Sequence, residues 1–462
     1  MAGTTGVRRV IRWGLRHGLV RRAIERQMRA GELGARIMMD RDVQADPFPH
    51  YEALRTKGRL VDTGIALITA DHALSTAVLR SPDFGTVTGA APPPGLIRLA
   101  IRAGGHSSLG PVERPSMLAT DPPDHTRYRK LVTRAFSARA VAALRTRTEQ
   151  VAEELLDAMT AKGRSADLID DYASLLPATV IAETLGAPVA MRHQFLEWGA
   201  GGALSLDLGL SYRDFRRSER DIDALHAWML GHFDRLRRSP GGVDASSAGA
   251  SHGSSDAPSA GASHGDILSA LVAAHDEDGR LSEDELSSVG MLLLAAGFET
   301  TVNLIGNGVV QLARHPEQLA KLAAEPARWA GAVEEVLRYD SPVQRTARVA
   351  KRDTEVAGER VRAGQLVIML IGGANRDPAV FADPHRFDVT RPDAGAHIAF
   401  SSGIHYCIGA GLARMEGEVG LQALFRRFPD LTLAGEPHRR PTRVLRGYDA
   451  MPVTLDPATV SA

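Results

Sequence analysis

Apolar residues recur along this chain with two different periods, and the change from one to the other divides it. From Asp121 to about His315 the spacing is helical almost throughout, which predicts helices over 125–136, 138–162 and 281–312. From Val349 to Ile371 the pattern shortens to alternating runs, with Val361 and Gly364 marking a hairpin and Leu366 to Ile371 a buried strand. Leu60-Val61 and Ile65 to Ile68 predict a second small hairpin, and Gly411 to Phe428 a final helix. The expected class is therefore mainly α with a minor β region, α+β.

The first thirty residues follow a rule of their own. Arg8, Arg9, Arg12, Arg16, Arg21, Arg22, Arg26 and Arg29 alternate with Ile11, Leu15, Leu19, Val20, Ile24 and Met28 at helical spacing, which predicts a basic amphipathic helix. Two placements suit it: docked on its own domain with a solvated arginine face, or lying on an anionic membrane as a peripheral contact. Gly14 and Gly18 each weaken such a helix by about 1 kcal/mol. Arginines persist where a signal peptide needs its apolar core, so no signal peptide is indicated.

The resulting organisation is an N-terminal extension over 1–45, one domain over 46–455, and a low-complexity insert over 240–265 containing Ser247 to Gly253 and its repeat Ser259 to Gly265. Such composition cannot bury enough apolar surface to offset ordering entropy, so the insert is expected to be a disordered surface loop. His252 and His264 within it have no surrounding ligand framework for a metal. A Gly- and Pro-rich stretch over 84–117 reads as a long irregular loop.

Lysine plus arginine and aspartate plus glutamate number 55 each, so no net field directs the chain toward nucleic acid. No uninterrupted apolar run approaches the ~18 residues of a membrane span, which predicts a soluble, cytoplasmic protein. The one cysteine, Cys407, excludes an internal disulfide and fits a reducing compartment. By itself a lone cysteine is most often an inert, buried, small hydrophobe.

Its neighbours change that reading. Phe400, Gly403, His405, Cys407, Gly409 and Leu412-Ala413-Arg414 together resemble the haem-binding signature of the cytochrome P450 family. Glycines 403, 409 and 411 would let backbone and a flat macrocycle approach closely. Ala296-Gly-Phe-Glu299-Thr300-Thr301, on a long apolar helix, resembles the oxygen-activation segment of the same family. Without that context a threonine bonded back to the preceding turn, with Glu299 reaching an arginine, would suffice. Glu335-Val-Leu-Arg338 is a third match, although an (i, i+3) ion pair is common on any surface helix.

The resemblance spans about 46–455 and implies a P450 fold, with haem b between a central helix and the cysteine loop. It implies Cys407 as the thiolate ligand of iron, and His125, Arg129, Arg348 and His405 as partners of the haem propionates, with Phe400, Gly403, Gly409 and Ala296 lining the cofactor. A thiolate ligand favours O–O cleavage. It further implies that Thr300 donates a hydrogen bond to dioxygen or its water, that Glu299 relays protons, and that Glu335, Arg338 and Arg386 form a buried ion network. Leu293, Val343 and Gln344 are expected in the substrate pocket.

The implied function is a monooxygenase inserting one atom of O2 into a lipophilic substrate, by hydroxylation or epoxidation. One cysteine cannot hold an iron–sulfur cluster, and no flavin segment follows the loop, so a separate ferredoxin and NAD(P)H-dependent ferredoxin reductase are expected to supply electrons. They would dock near Cys407 on Arg127, Lys130 and Arg134. A monomer is expected, and no nucleic-acid partner. The alternatives are a peroxide-driven haem peroxygenase and a non-catalytic haem carrier or gas sensor.

Overall fold

A helix that is apolar on every side needs protein on every side, and Glu283–Arg314 (α8) is the spine of this molecule for that reason. The computed structural model describes residues 2–87, 110–238, 266–276 and 281–455, with side chains from residue 6. The insert over 240–265 and most of the loop over 84–117 lie outside the described residues. The other helices that position the site, numbered in chain order, are Ala2–Trp13 (α1), Leu19–Arg29 (α2), Asp124–Val132 (α3), Ala138–Ala161 (α4), Leu175–Leu185 (α5), Arg192–Leu204 (α6), Tyr212–Arg238 (α7), Trp329–Tyr339 (α9) and Ala410–Arg427 (α10).

Ser282 caps α8 with a full capping box, accepting from the Glu285 N–H while Glu285 accepts from the Ser282 N–H. By length and composition α8 could cross a membrane, but 78% of its most apolar window is buried against other parts of the chain. Around it pack α5, α6, α7, α9 and α10, and their side chains form one continuous core.

The largest described sheet has five strands, Val61–Asp62 (β1), Leu67–Thr69 (β2), Phe84–Gly85 (β3), Thr346–Ala350 (β4) and Leu366–Met369 (β5), in the order β1-β2-β5-β4-β3, beside three smaller sheets. β1 and β2 are the expected hairpin, with Val61 opposite Ile68. β2 runs parallel to β5, whereas β4 runs antiparallel to it with Arg348 opposite Val367.

No break falls at residue 45. Ile37 and Val43 are buried in the same cluster as Phe48, Tyr51, Ile68 and Ile368. Arg345 donates to the Ile37 carbonyl (3.2 Å) and Arg446 to that of Gln44 (2.7 Å), so the supposed extension is stitched into the fold. Apolar periodicity could not show this, because the stitches come from residues about 300 and 400 positions away.

The buried ion network departs from expectation in one member. Glu335 and Arg338 are fully buried and bidentate at 2.7 and 2.8 Å. Arg386 contributes only its carbonyl to Arg338 (3.1 Å), while its own side chain is exposed and lies 3.8 Å from Asp388. The third member is Arg391, 3.4 Å from Glu335 and also donating to the carbonyls of Asp383 and Arg386. Arg391→Ala should lower unfolding stability by about 2–3 kcal/mol, since it takes a charge-assisted partner from a buried carboxylate. Arg386→Ala should stay within about 0.5 kcal/mol; urea unfolding of both variants separates the two assignments.

Candidate functional site

From Leu286 to Leu312 the side chains of α8 are buried except in one window: Ala295, Ala296, Gly297 and Thr300. Ala296 and Thr300 are one turn apart on a single face, so the spine is open to a cleft only there. Ala296 is exposed. Gly297 serves packing instead: a Cβ there would meet Ile181 of α5 at 2.5 Å.

Cys407 is exposed, yet burial pushes its thiol up. The two agree if the sulfur faces an enclosed cleft rather than the outer surface. The loop that carries it is held from several sides. The Cys407 N–H donates to the Phe400 carbonyl (2.9 Å), and a hydrogen bond from the Gly409 backbone favours the thiolate. Arg414 clamps Glu334 of α9 at 2.6 and 3.0 Å, donates to the Tyr406 hydroxyl (3.1 Å) and lies 4.5 Å over the Phe400 ring. His397 approaches the same Glu334 to 3.2 Å.

Gly403 matters for a reason other than macrocycle access. Its φ is +69°, and a Cβ there would lie 2.3 Å from the Leu79 carbonyl oxygen. At Gly409, by contrast, a Cβ would lie 4.0 Å from the Cys407 sulfur.

Beside the sulfur sit four basic groups with too little negative charge to balance them. The rings of His125 and His405 are 4.3 Å apart. Burial, then Arg348, His125 and Arg129, hold His405 down to about 3; burial and Arg129 lower His125 against the weaker pull of Asp121. Burial also lowers Arg348. Nε2 of His125 and Nε2 of His405 are buried without a hydrogen-bond partner. Arg129 reaches the Tyr406 carbonyl (2.7 Å). Two arginines beside two imidazole nitrogens that lack partners offer donors to an anionic acceptor, and two carboxylates on the edge of a planar cofactor would supply one. The residues present therefore fit a haem held by Cys407 with its propionates on His125, Arg129, Arg348 and His405.

Similarity to known proteins agrees with that geometry. The cytochrome P450 family profile matches residues 251–444. Cytochrome P450 140 of Mycobacterium tuberculosis is 46% identical over 97% of this chain and 98% of its own length. The chain belongs to the cytochrome P450 family. The 6-deoxyerythronolide B hydroxylase of Saccharopolyspora erythraea is 41% identical over 74% of this chain and 78% of its own. The solved CYP164A2 of Mycobacterium smegmatis shares 32% identity with a TM-score of 0.78, covering 92% of this chain and 99% of the other. P450s of this kind are haem-thiolate monooxygenases that take electrons from outside the haem domain, and this chain has their fold.

The oxygen-side residues are placed differently from one another. The Thr300 hydroxyl donates to the Ala296 carbonyl (3.2 Å), so toward the cleft it offers lone pairs rather than a proton. Glu299 turns away, is buried, and pairs with Arg440. The pair lies on the wall of a separate polar pocket of ≈ 450 Å³, lined also by Asp170, Asp171, Ser174, His193 and Asp449. Arg440 was invisible to sequence reasoning: it is 141 residues from Glu299 in an ordinary His-Arg-Arg-Pro run. Thr301 faces Glu416 of α10, whose carboxyl burial pushes well above its usual range.

Of the expected pocket residues, Gln344 is excluded. Its Oε1 accepts from the Tyr51 hydroxyl (3.1 Å) and its Nε2 donates to the Ser341 carbonyl (2.8 Å), deep in the core. Leu293 is buried in the main core, and Val343 is half-buried in a bridge to Leu445. Of the expected docking cations, Arg127 is occupied by Glu285 (2.6 and 3.1 Å), while Lys130 and Arg134 are exposed.

Gly403→Ala should yield protein with sharply reduced haem content by absorbance at equal protein, because neither φ nor the Leu79 carbonyl can yield cheaply. Glu334 provides a pH test. Its hydrogen bonds to His397 and Arg414 outweigh burial and lower its carboxyl from 4.5 to about 2. The folded value lies below the unfolded one, so the stabilisation is complete above pH 4.5 and is lost as pH falls toward 2. Glu334→Gln should therefore be less stable than wild type at neutral pH, with the gap in thermal midpoint closing below pH 4.5.

Proposed function

We propose that this chain hydroxylates or epoxidises a lipophilic molecule, inserting one oxygen atom of O2 while the other leaves as water, with electrons from a ferredoxin and an NAD(P)H-dependent reductase. The observation that carries this reading is the pairing of a single exposed cysteine with a partly exposed Thr300 and a buried acid beside that threonine in sequence. Haem bound at Cys407 supplies the binding and reductive activation of dioxygen.

The chain's own task is to deliver protons without admitting bulk water. Thr300, its proton given to Ala296, accepts a hydrogen bond from a water in the cleft and so orients that water's other proton. Glu299 recruits protons from the polar pocket behind α8 while paired with Arg440, and passes them forward when that pair opens. Turning Glu299 about 100° around the helix from Thr300, onto the pocket with Arg440, separates the proton source from the substrate side. The exposed residue of the open window of α8 is Ala296, whose methyl suits an apolar substrate. The hydroxylase name of the Saccharopolyspora relative supports a substrate of that kind.

Lys130 and Arg134 are the exposed cations that remain for an acidic electron donor on the face carrying α3.

With ferredoxin, reductase and NADPH, a substrate found by its spin-state shift should be oxygenated. Glu299→Gln and Thr300→Ala should each cut product per NADPH by about tenfold or more while NADPH consumption falls less, the lower end of what a positioned proton donor contributes. Unchanged coupling in both would remove the proton-relay reading. Loss of the thiolate carbon monoxide spectrum in Cys407→Ser is the control for the ligand.

A further inference from the structure

The N-terminal helix is docked, but only by one side. Arg9 and Arg12 reach Glu219 of α7 at 3.1 and 2.7 Å. Trp13 donates to the Leu210 carbonyl (2.9 Å) and meets the Tyr212 ring edge-on, the His17 ring lies 5.4 Å from Phe215, and Ile24 is buried. The opposite side is the unusual one. Val7, Val10 and Ile11 are 61, 47 and 40% exposed and share one face at i, i+3 and i+4. The π-helical turn Gly14–Gly18, closed by the Leu19 N–H on the Gly14 carbonyl, adds a residue to that turn and brings Leu19, 59% exposed, back onto the same line.

Beyond Leu19 the same line continues as Arg22, Arg26 and Arg29, all exposed, at i+3, i+7 and i+10. Among the described residues no carboxylate lies within ion-pair distance of Arg8, Arg22, Arg26 or Arg29, whereas Arg9, Arg12, Arg16 and Arg21 all have one. Glu25 is the sole acid among the first thirty residues. An outward stripe that is apolar at one end and uncompensated cationic at the other matches the chemistry of an anionic lipid surface: acyl chains for the valines, isoleucine and leucine, headgroup phosphates for the arginines. An acidic protein would answer the arginines but would leave the apolar end unexplained.

We propose that this outer face of α1 and α2 is a peripheral docking surface for an anionic bilayer, with the inner face remaining clasped to α7. The enzyme would then sit against the phase in which a lipophilic substrate concentrates.

The full-length haem-loaded protein is mixed with vesicles of phosphatidylcholine containing phosphatidylglycerol, or of phosphatidylcholine alone, and sedimented. Wild type should pellet with the anionic vesicles, less so as salt rises, and stay in solution with the neutral ones. Val10→Asp with Leu19→Asp should abolish pelleting; Arg22→Gln, Arg26→Gln and Arg29→Gln should each weaken partitioning by about fivefold. All variants should keep the wild-type thermal midpoint and haem absorbance, since none touches the clasp or the cleft. The proposal is overturned if wild type stays in solution with anionic vesicles, if neutral vesicles serve equally, or if the aspartate pair pellets as wild type does. It is likewise overturned if light scattering shows that these residues instead mediate self-association.

Discussion

Two consecutive carboxylates on α9 hold the sulfur in place. Glu334 grips Arg414 and, through it, Tyr406 and Phe400 of the cysteine loop; Glu335 grips Arg338 and Arg391 and, through them, the carbonyls of the irregular segment over 375–391 that leads into that loop. Neighbouring residues on a helix point about 100° apart, so one turn of α9 can brace both the loop and its approach. A buried ion pair is no guarantee of net stability. Here its geometric consequence matters more: a loop with little regular structure acquires a fixed position in front of a cleft.

The same economy of placement separates charge from chemistry across α8. Its open side offers Ala296 and Thr300, and Glu299, about 100° around the helix from Thr300, lies with Arg440 on a polar pocket. Acid and alcohol are adjacent in sequence, but only the acid lies on the pocket with Arg440. On the basic side the four groups His125, Arg129, Arg348 and His405 come from α3, β4 and the cysteine loop, and burial beside the two arginines keeps both imidazoles below their ordinary range.

Much of the fold was legible because it depends on local pattern. The helices over 138–161, 283–314 and 410–427 lie within two residues of the expected bounds, and the β1–β2 hairpin sits where it was expected, since apolar period and turn residues are written in consecutive positions. The misreadings share another origin. Arg386 and Arg391 are both arginines in one loop, and only the direction of each side chain tells a surface cation from a buried one. Gln344 follows a half-buried valine, and nothing local says that its amide is consumed by Tyr51 and Ser341. Gly403 was expected to make room for a flat macrocycle, and nothing local says that a Cβ there would meet the Leu79 carbonyl.

By itself the amino-acid order determined the helical class, the family resemblance carried by the cysteine loop and the Glu299-Thr300 segment, and the basic stripe at the start, because each is a matter of residue type at short spacing. Only the tertiary structure decided that Arg440 holds Glu299, that Arg391 completes the buried network, that Thr300 presents lone pairs, and that residues 24–45 belong to the core. Those outcomes depend on contacts between positions far apart in the chain, where side-chain direction and burial, which no local pattern encodes, select one partner among many of the same chemical type.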